Sequence, residues 1–228
     1  MRQTPHRDGR SARPPPAGLS RSLCLLTCAS PGTPPLAHRL ERAGLHITAH
    51  ARWQDGLALA QLHSHGPALL LLDIPQAEEE AVPALVRAAR LIAPIAVLPP
   101  TPACTLAAFA AGAVNVLDRS APAAELTWRI QAGLHRLTAP ATHARRISRS
   151  GVQNMLFDIL TGARQPVCCH HLRLLMGSPD LPMTMRALKA RIQRLHPAFH
   201  DYRHTLLVDQ QWGLATFRTQ PHSHPTAA

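Results

Sequence analysis

The chain has 228 residues, a hydrophobic fraction of 46% and a net charge of +11. That length exceeds the usual size of a single domain, so we expect two domains. No apolar run approaches the roughly 18 residues that a membrane span needs. The five cysteines stand at irregular spacing, which argues against a secreted disulfide framework and predicts a cytoplasmic protein without membrane contact.

The basic charge is concentrated at two places. Residues 1–22 carry five Arg and one Asp, residues 23–135 carry seven Arg and eight acidic residues, and residues 136–228 carry twelve Lys or Arg and four Asp. We therefore expect the C-terminal part to contact a polyanion and the central part not to. Residues 1–21 are interpreted as a disordered basic leader, because the apolar run that follows is too short for a signal peptide.

Residues 22–138 alternate between short apolar runs and amphipathic segments. Strands are predicted at Leu23–Cys28, Leu45–Ala51, Ala68–Ile74, Ile95–Leu98 and Val114–Leu117. Helices are predicted after Pro35, from Asp55, from Glu78, from Ala103 and around Leu126. Five such βα units predict an α/β fold in which a parallel sheet carries helices on both faces.

Two motifs in this region resemble a known family. Asp73 ends the apolar run LLLLDI, and GAVNVLDRSAPAAELTWRI follows at Gly112–Ile130. Together they resemble the receiver domain of bacterial response regulators, a flavodoxin-like (βα)5 fold. In that family the equivalent of Asp73 accepts a phosphoryl group, two acidic residues after the first strand hold Mg²⁺, and the fourth and fifth strands end in a hydroxyl residue and a Lys.

The chemical signature of that family is incomplete in this chain. Cys28 and Ala29 stand where the acidic pair is expected, Pro99 replaces the hydroxyl residue, and Asp118-Arg119 replaces the Lys. Because Mg²⁺ needs oxygen ligands, we predict a pseudo-receiver that aspartyl phosphorylation does not activate. Asp73 is then either a vestigial phosphoacceptor or a strand-end residue that serves capping or solubility.

The C-terminal part has a different pattern. A polar, Arg-rich linker is predicted at 139–150, and helices are predicted at Val152–Leu160 and Cys168–Gly177. Two apolar segments, His204–Val208 and Leu214–Phe217, predict a hairpin with Gly213 in its turn. A domain at 151–218 and a disordered tail at 219–228 complete the predicted organisation.

Between the second helix and the hairpin lies the segment MTMRALKARIQRL, residues 183–195. A helix that starts after Thr184 places Leu188, Ile192 and Leu195 on one face and a small, basic surface on the other. An isolated helix of this kind is also compatible with an ordinary solvated surface. Its position, third after two short helices and directly before a hairpin, favours a helix that enters the major groove of DNA.

This order of elements resembles the OmpR/PhoB-type winged helix-turn-helix domain, a small α+β winged-helix domain that commonly follows a receiver. The resemblance covers residues 145–218 and implies that ALKARIQRL is the recognition helix and that HTLLVDQQWGLATF is the wing. It also implies a homodimer formed through the fourth helix, fifth strand and fifth helix of the receiver-like domain. The predicted DNA-contacting residues are Arg186, Lys189, Arg191, Gln193, Arg194, Arg203 and Arg218.

Other chemistry is weakly indicated. Cys168, Cys169, His170 and His171 are all zinc-ligand types, but adjacent residues of a helix point about 100° apart and do not converge on one ion. No nucleotide-binding loop or catalytic triad is evident, so we expect neither a metal, a cofactor nor an enzyme activity.

The leading hypothesis is a DNA-binding transcriptional regulator with double-stranded DNA, a second copy and RNA polymerase as partners. The alternative is a protein-interaction or small-ligand-sensing adaptor built on the two degenerate domains.

Overall fold

A computed structural model of the protein describes residues 22–29, 36–137, 151–211 and 214–222. The predicted leader, the linker at 139–150, the hairpin turn at Gly213 and the tail from residue 223 lie outside these described residues. Within them, no helix is long and apolar enough to cross a membrane.

The first unit is built on five parallel strands. Their bounds are β1 Leu23–Thr27, β2 Ala49–Arg52, β3 Leu69–Asp73, β4 Ile95–Leu98 and β5 Asn115–Val116. They pair in the order β2-β1-β3-β4-β5, which is the flavodoxin-like order. Every residue of the central strand β3 is buried, as expected for a parallel strand covered on both faces. The predicted flavodoxin-like fold is confirmed for this part of the chain.

Helices cover both faces of the sheet. Their bounds are α1 Leu36–Arg42, α2 Gly56–Ser64, α3 Val82–Ala89, α4 Thr105–Ala110 and α5 Ala123–Arg136. One apolar core contains residues of α2, α3 and α4, and a second, on the other face, contains residues of α1 and α5. The alternating side chains of β1 and β3 divide between these two cores, because successive residues of a strand point to opposite faces.

Three local predictions for this unit were wrong in detail. The second strand begins at Ala49 rather than Leu45, because the apolar Leu45 and Ile47 enter the core from a connecting segment. A 3-10 turn at Glu79–Ala81 precedes α3, and Pro83 lies in the first turn of that helix, where its missing N–H costs no helical hydrogen bond. A second 3-10 turn, Pro102–Cys104, shortens the fourth helix.

In the ranges 151–211 and 214–222 that the structure describes, the second unit contains four helices and a small sheet. Its elements are α6 Gly151–Gly162, β6 Val167–Cys168, α7 Cys169–Met176, α8 Met185–Gln193, α9 His196–Asp201, β7 His204–Gln211 and β8 Leu214–Pro221. The sheet has the antiparallel order β6-β8-β7. Leu172 and Leu175 of α7 are fully buried.

Three details of this unit differ from the prediction. Cys168 belongs to a strand that pairs with Thr216, so the second helix begins one residue later. A fourth helix, α9, intervenes before the hairpin, with Pro197 in its first turn. Strand β8 continues to Pro221, which pairs with His204, so residues 219–221 belong to the hairpin and not to the tail.

Candidate functional site

The Asp73 carboxylate lies at the carboxyl end of the central strand and is almost inaccessible to solvent, with 1% exposure. Both of its oxygens are bonded to the guanidinium of Arg119, one through Nη1 and the other through Nη2 at 3.1 Å. The hydroxyl of Thr27 donates a further hydrogen bond of 3.1 Å. Asp73 is therefore a buried, fully partnered anion, which excludes the solubility role.

The pKa of Asp73 reflects two opposing effects. Burial raises the pKa of this carboxyl above its ordinary value, and the charge of Arg119 and the Thr27 hydroxyl offset part of the increase. Such an arrangement is stable only while the cation stays in place, because an unpaired buried carboxylate is costly. Arg119 was identified from the sequence as a departure from the receiver pattern; its role as the partner of Asp73 required the tertiary structure.

The positions around Asp73 carry no second carboxylate from the end of β1. Cys28 donates its backbone N–H to the Asp73 carbonyl at 2.8 Å, and Ala29 donates its N–H to the Thr27 hydroxyl at 3.1 Å. Burial, followed by the negative charges of Asp73 and Asp180, raises the pKa of the Cys28 thiol to about 12. That thiol stays protonated at neutral pH and is neither a good metal ligand nor a nucleophile.

Asp180 belongs to the second unit, in the segment between α7 and α8. Its negative charge contributes to the raised pKa of the Cys28 thiol. Nothing in the spacing of the sequence indicates this interaction, because the two residues are separated by most of both units.

The second candidate surface is the outer face of α8. Thr184 is the N-cap and its hydroxyl accepts a hydrogen bond of 3.2 Å from the N–H of Ala187. Leu188, Ile192 and, just after the helix, Leu195 are buried, each stabilising the docked helix by roughly 1.5–3 kcal/mol. The predicted apolar face and the predicted start of this helix are confirmed.

The basic residues predicted on this helix lie on its other side. Arg186, Lys189 and Gln193 are exposed and follow one another at i, i+3 and i+7, which places them on one face. Arg194 is the exposed C-cap. Arg191 is half-buried and lies beside this exposed face rather than on it.

The two remaining predicted residues lie on the hairpin. Arg203 precedes β7 with a φ of 55°, and its carbonyl accepts a hydrogen bond of 2.8 Å from the N–H of His222. Arg218 lies in β8 opposite Leu207. Both arginines are exposed, so α8 and the hairpin form two separate basic elements of one unit.

The cysteine and histidine run is divided between the core and the surface. Cys169 is buried and its sulfur accepts a hydrogen bond of 3.4 Å from the N–H of Ala215, while His170 is exposed. Among the described ranges, no three His, Cys, Asp or Glu side chains are grouped so that they could hold a metal ion.

A cavity of about 620 Å³ has Arg119, the partner of Asp73, in its wall. Its walls come from the ends of β4 and β5, from α1, from the start of α4 and from α5; they include Arg39, Pro99, Thr105, Arg119 and Arg129. Arg39 donates hydrogen bonds to the carbonyls of Arg119 and Ala121. The volume falls within the range of ordinary small-ligand sites.

No protein-family model matches the chain, and no curated protein matches it.

Among solved structures, the signal receiver domain of the response regulator NarL from Mycobacterium tuberculosis is 21% identical, with 51% of this chain and 98% of that chain covered and a TM-score of 0.38. The CheY-like protein tadZ from Pseudomonas aeruginosa PAO1 is 22% identical, with coverages of 51% and 96% and a TM-score of 0.39. The Mn²⁺-bound response regulator Rcp1 is 20% identical, with coverages of 53% and 99% and a TM-score of 0.34.

Proposed function

We propose that this protein is a DNA-binding transcriptional regulator whose first unit works without phosphorylation of Asp73. The observation that carries the proposal is α8: a helix held by three buried apolar residues that presents Arg186, Lys189 and Gln193 to solvent. Helices of this diameter fit the major groove, where Arg and Lys bind guanine edges and phosphates.

The elements around α8 support a winged helix-turn-helix interpretation. Helix α7 precedes α8 across the segment 177–184, and the β7–β8 hairpin follows α9. The hairpin strands have eight residues each, and Arg203 and Arg218 are exposed on them or at their start. In this interpretation α8 enters the major groove and the hairpin contacts the flanking backbone.

The excess of positive charge in this part of the chain fits the same role. Residues 136–228 contain twelve Lys or Arg and only four Asp. A surface of that composition binds phosphates and releases counterions, which makes its affinity for DNA strongly dependent on salt.

Regulation by aspartyl phosphorylation is not part of the proposal. The carboxylate oxygens that would receive a phosphoryl group and bind Mg²⁺ are already bonded to Arg119 and Thr27. Cys28 and Ala29 provide no carboxylate that would hold a cation beside Asp73. The charge of an incoming phosphoryl group would therefore not be neutralised by a metal ion.

Dimerisation through the α4–β5–α5 face completes this model. Four apolar side chains of this face are exposed, at 81% for Leu106, 46% for Phe109, 49% for Val114 and 76% for Trp128. A second copy would cover them and place two α8 helices on neighbouring half-sites. RNA polymerase is the expected partner of the DNA-bound dimer.

The experiment that tests the function is a selection of genomic DNA fragments by the purified full chain, at two salt concentrations. Enrichment of one sequence, with affinity that falls as salt rises, is the expected result. No retention of DNA at low salt would contradict the proposal.

A second candidate function is that of a small-ligand-sensing or protein-interaction adaptor. The cavity lined by Arg39, Arg119 and Arg129 favours it, because ligands of open α/β sheets bind outside the carboxyl ends of the strands. Native mass spectrometry of the purified protein would detect a retained ligand. A retained ligand together with no DNA binding would favour the adaptor over the regulator.

A further inference from the structure

The two units share one apolar core. Helix α2 packs against α6 and α7, and α3 packs against α7. The core that contains Leu59 and Leu62 of α2 also contains Leu156 and Leu160 of α6. The second unit therefore packs against α2 and α3 of the first unit. Among the described residues, the α4–β5–α5 face is not part of this contact.

Trp53 connects the sheet edge of the first unit to α7. Its backbone N–H donates to the Thr27 carbonyl at 2.9 Å, which ties it to the end of β1. Its side chain is 3% exposed, and the indole Nε1–H donates to the carbonyl of Leu174 at 3.3 Å. An indole buried in this way fixes the last turn of α7 relative to the sheet.

Gly56 brings the same turn of α7 close to the start of α2. A Cβ at this position would lie 3.1 Å from the carbonyl oxygen of Met176 and 3.2 Å from its Cα. Because these are backbone atoms, a side chain would force a shift of the helix end. The start of α2 is itself fixed, since the Asp55 carboxylate accepts hydrogen bonds of 2.9 Å from Leu57 and Ala58.

The end of α7 in turn determines where α8 begins. The Met183 N–H donates to the Arg173 carbonyl at 2.9 Å, and the Arg173 Nε–H donates to the Met183 carbonyl at 2.6 Å. A Cβ on Gly177 would lie 2.5 Å from the Leu181 oxygen, so the turn between the helices closes tightly on itself. Thr184, the N-cap of α8, follows directly.

We propose that Trp53 and Gly56 are positioning residues for α8. Through their contacts with the end of α7, this pair, called the brace below, lets the first unit hold the α7–α8 corner, residues 177–184, in the orientation that DNA binding requires. The inference rests on the proposed function. It adds that the first unit acts on DNA affinity through this contact, with no phosphoryl group involved.

The test uses the full chain and two variants, Trp53→Phe and Gly56→Ala. Trp53→Phe keeps an aromatic ring but removes the Nε1–H donor, and Gly56→Ala adds one methyl group against Met176. The matched control is Ile130→Val, which trims a fully buried residue of the other core. Thermal unfolding of all three establishes that they are folded and ranks their stability.

Two measurements then separate a positioning role from a merely structural one. We expect Trp53→Phe to bind the selected DNA about fivefold more weakly, the factor that corresponds to one lost hydrogen bond. Gly56→Ala should also weaken binding, because its added methyl group displaces the end of α7. We expect amide exchange to increase in residues 177–193. Ile130→Val should change neither property, even where its melting temperature falls as far.

The outcomes are distinct. Amide exchange that is unchanged at residues 177–193 in both brace variants would overturn the proposed positioning role. Increased amide exchange together with unaltered DNA affinity would also overturn it. If the unmodified chain binds no DNA, the proposed function fails, while the exchange measurement still decides whether Trp53 and Gly56 hold the corner.

Discussion

The guanidinium of Arg119 binds both oxygens of the Asp73 carboxylate at the carboxyl end of the central strand β3. Asp73 is buried and Arg119 is partly exposed. A side chain of the protein thus supplies the positive charge that faces the Asp73 carboxylate. Two predictions concern this pair.

Replacement of Arg119 by Ala should destabilise the protein by about 3–5 kcal/mol, because it leaves a buried carboxylate without its cation. The pKa of Asp73 is already raised by burial and should rise further. A carboxyl whose pKa is higher in the folded than in the unfolded state stabilises the fold at pH below its unfolded-state pKa. This stabilisation is lost as the pH rises through the folded-state pKa.

The destabilisation by Arg119→Ala should therefore be larger at pH 8 than at pH 5 in urea titrations. Thr27→Val, which removes the hydrogen bonds of this hydroxyl to Asp73 and to the Ala29 N–H, should cost about 1–3 kcal/mol. The double variant Arg119→Ala/Asp73→Asn should recover much of the lost stability. An equal loss at both pH values would contradict this account.

Incubation with Mg²⁺ and acetyl phosphate should leave the mass of the protein unchanged. The carboxylate of Asp73 is occupied, and Cys28 and Ala29 offer no acidic ligands for the ion. Intact-mass spectrometry checks this result, and a stable adduct of one phosphoryl group on Asp73 would falsify it.

Arg194→Ala should weaken DNA binding by about 1–3 kcal/mol if the residue contacts bases. Lys189→Ala should weaken binding to all sequences and reduce the salt slope by about one. Titrations at fixed salt measure the first effect and a salt series measures the second. Arg42→Ala, an exposed change on α1 of the first unit, is the matched control and should leave both unchanged.

The contact between the units should depend on pH through Asp158. Burial raises the pKa of this carboxyl to about 6, and burial lowers the pKa of His63, whose Nε2 lies 3.7 Å from it. At neutral pH this is a contact between a neutral imidazole and a carboxylate. Arg90, Arg164 and His171 line the same cleft.

The sign follows from the raised pKa of Asp158. The stabilising contribution of Asp158 is fully present at pH below roughly 4, the pKa of this carboxyl in the unfolded chain. It is lost as the pH rises through about 6, the pKa in the folded protein. Asp158→Asn should therefore increase the free energy of unfolding at pH 7.5 by on the order of 2 kcal/mol and by little at pH 4. Denaturation across this range measures the difference, and a variant that is less stable at pH 7.5 would contradict the prediction.

Dimerisation should be sensitive to charge on the α4–β5–α5 face. Leu106→Glu and Trp128→Glu replace exposed apolar side chains, so they should leave the fold intact and favour the monomer in analytical ultracentrifugation. Leu57→Glu, an exposed change on α2, is the control. An unmodified chain that is monomeric at high concentration would remove the dimer from the proposal.

Much of the fold could be predicted from periodicity. The continuous apolar run that ends at Asp73 and the helical spacing of Leu188, Ile192 and Leu195 depend only on which residues must leave water. Element bounds do not follow from periodicity alone, because Leu45 and Ile47 are buried from a connecting segment that alternates as a strand does. Helix α9 was missed because Pro197 resembles a break, although a proline is tolerated in the first turn.

The sequence by itself determined the parallel βα order of the first unit, the absence of acidic residues after β1 and the basic outer face of α8, since each depends on residue type and local spacing. Only the tertiary structure decided that Arg119 pairs with Asp73 and that Trp53 reaches α7. Both contacts join residues far apart in the chain, and the free energy that brings such residues together comes from burial of the whole core, which carries no local signal.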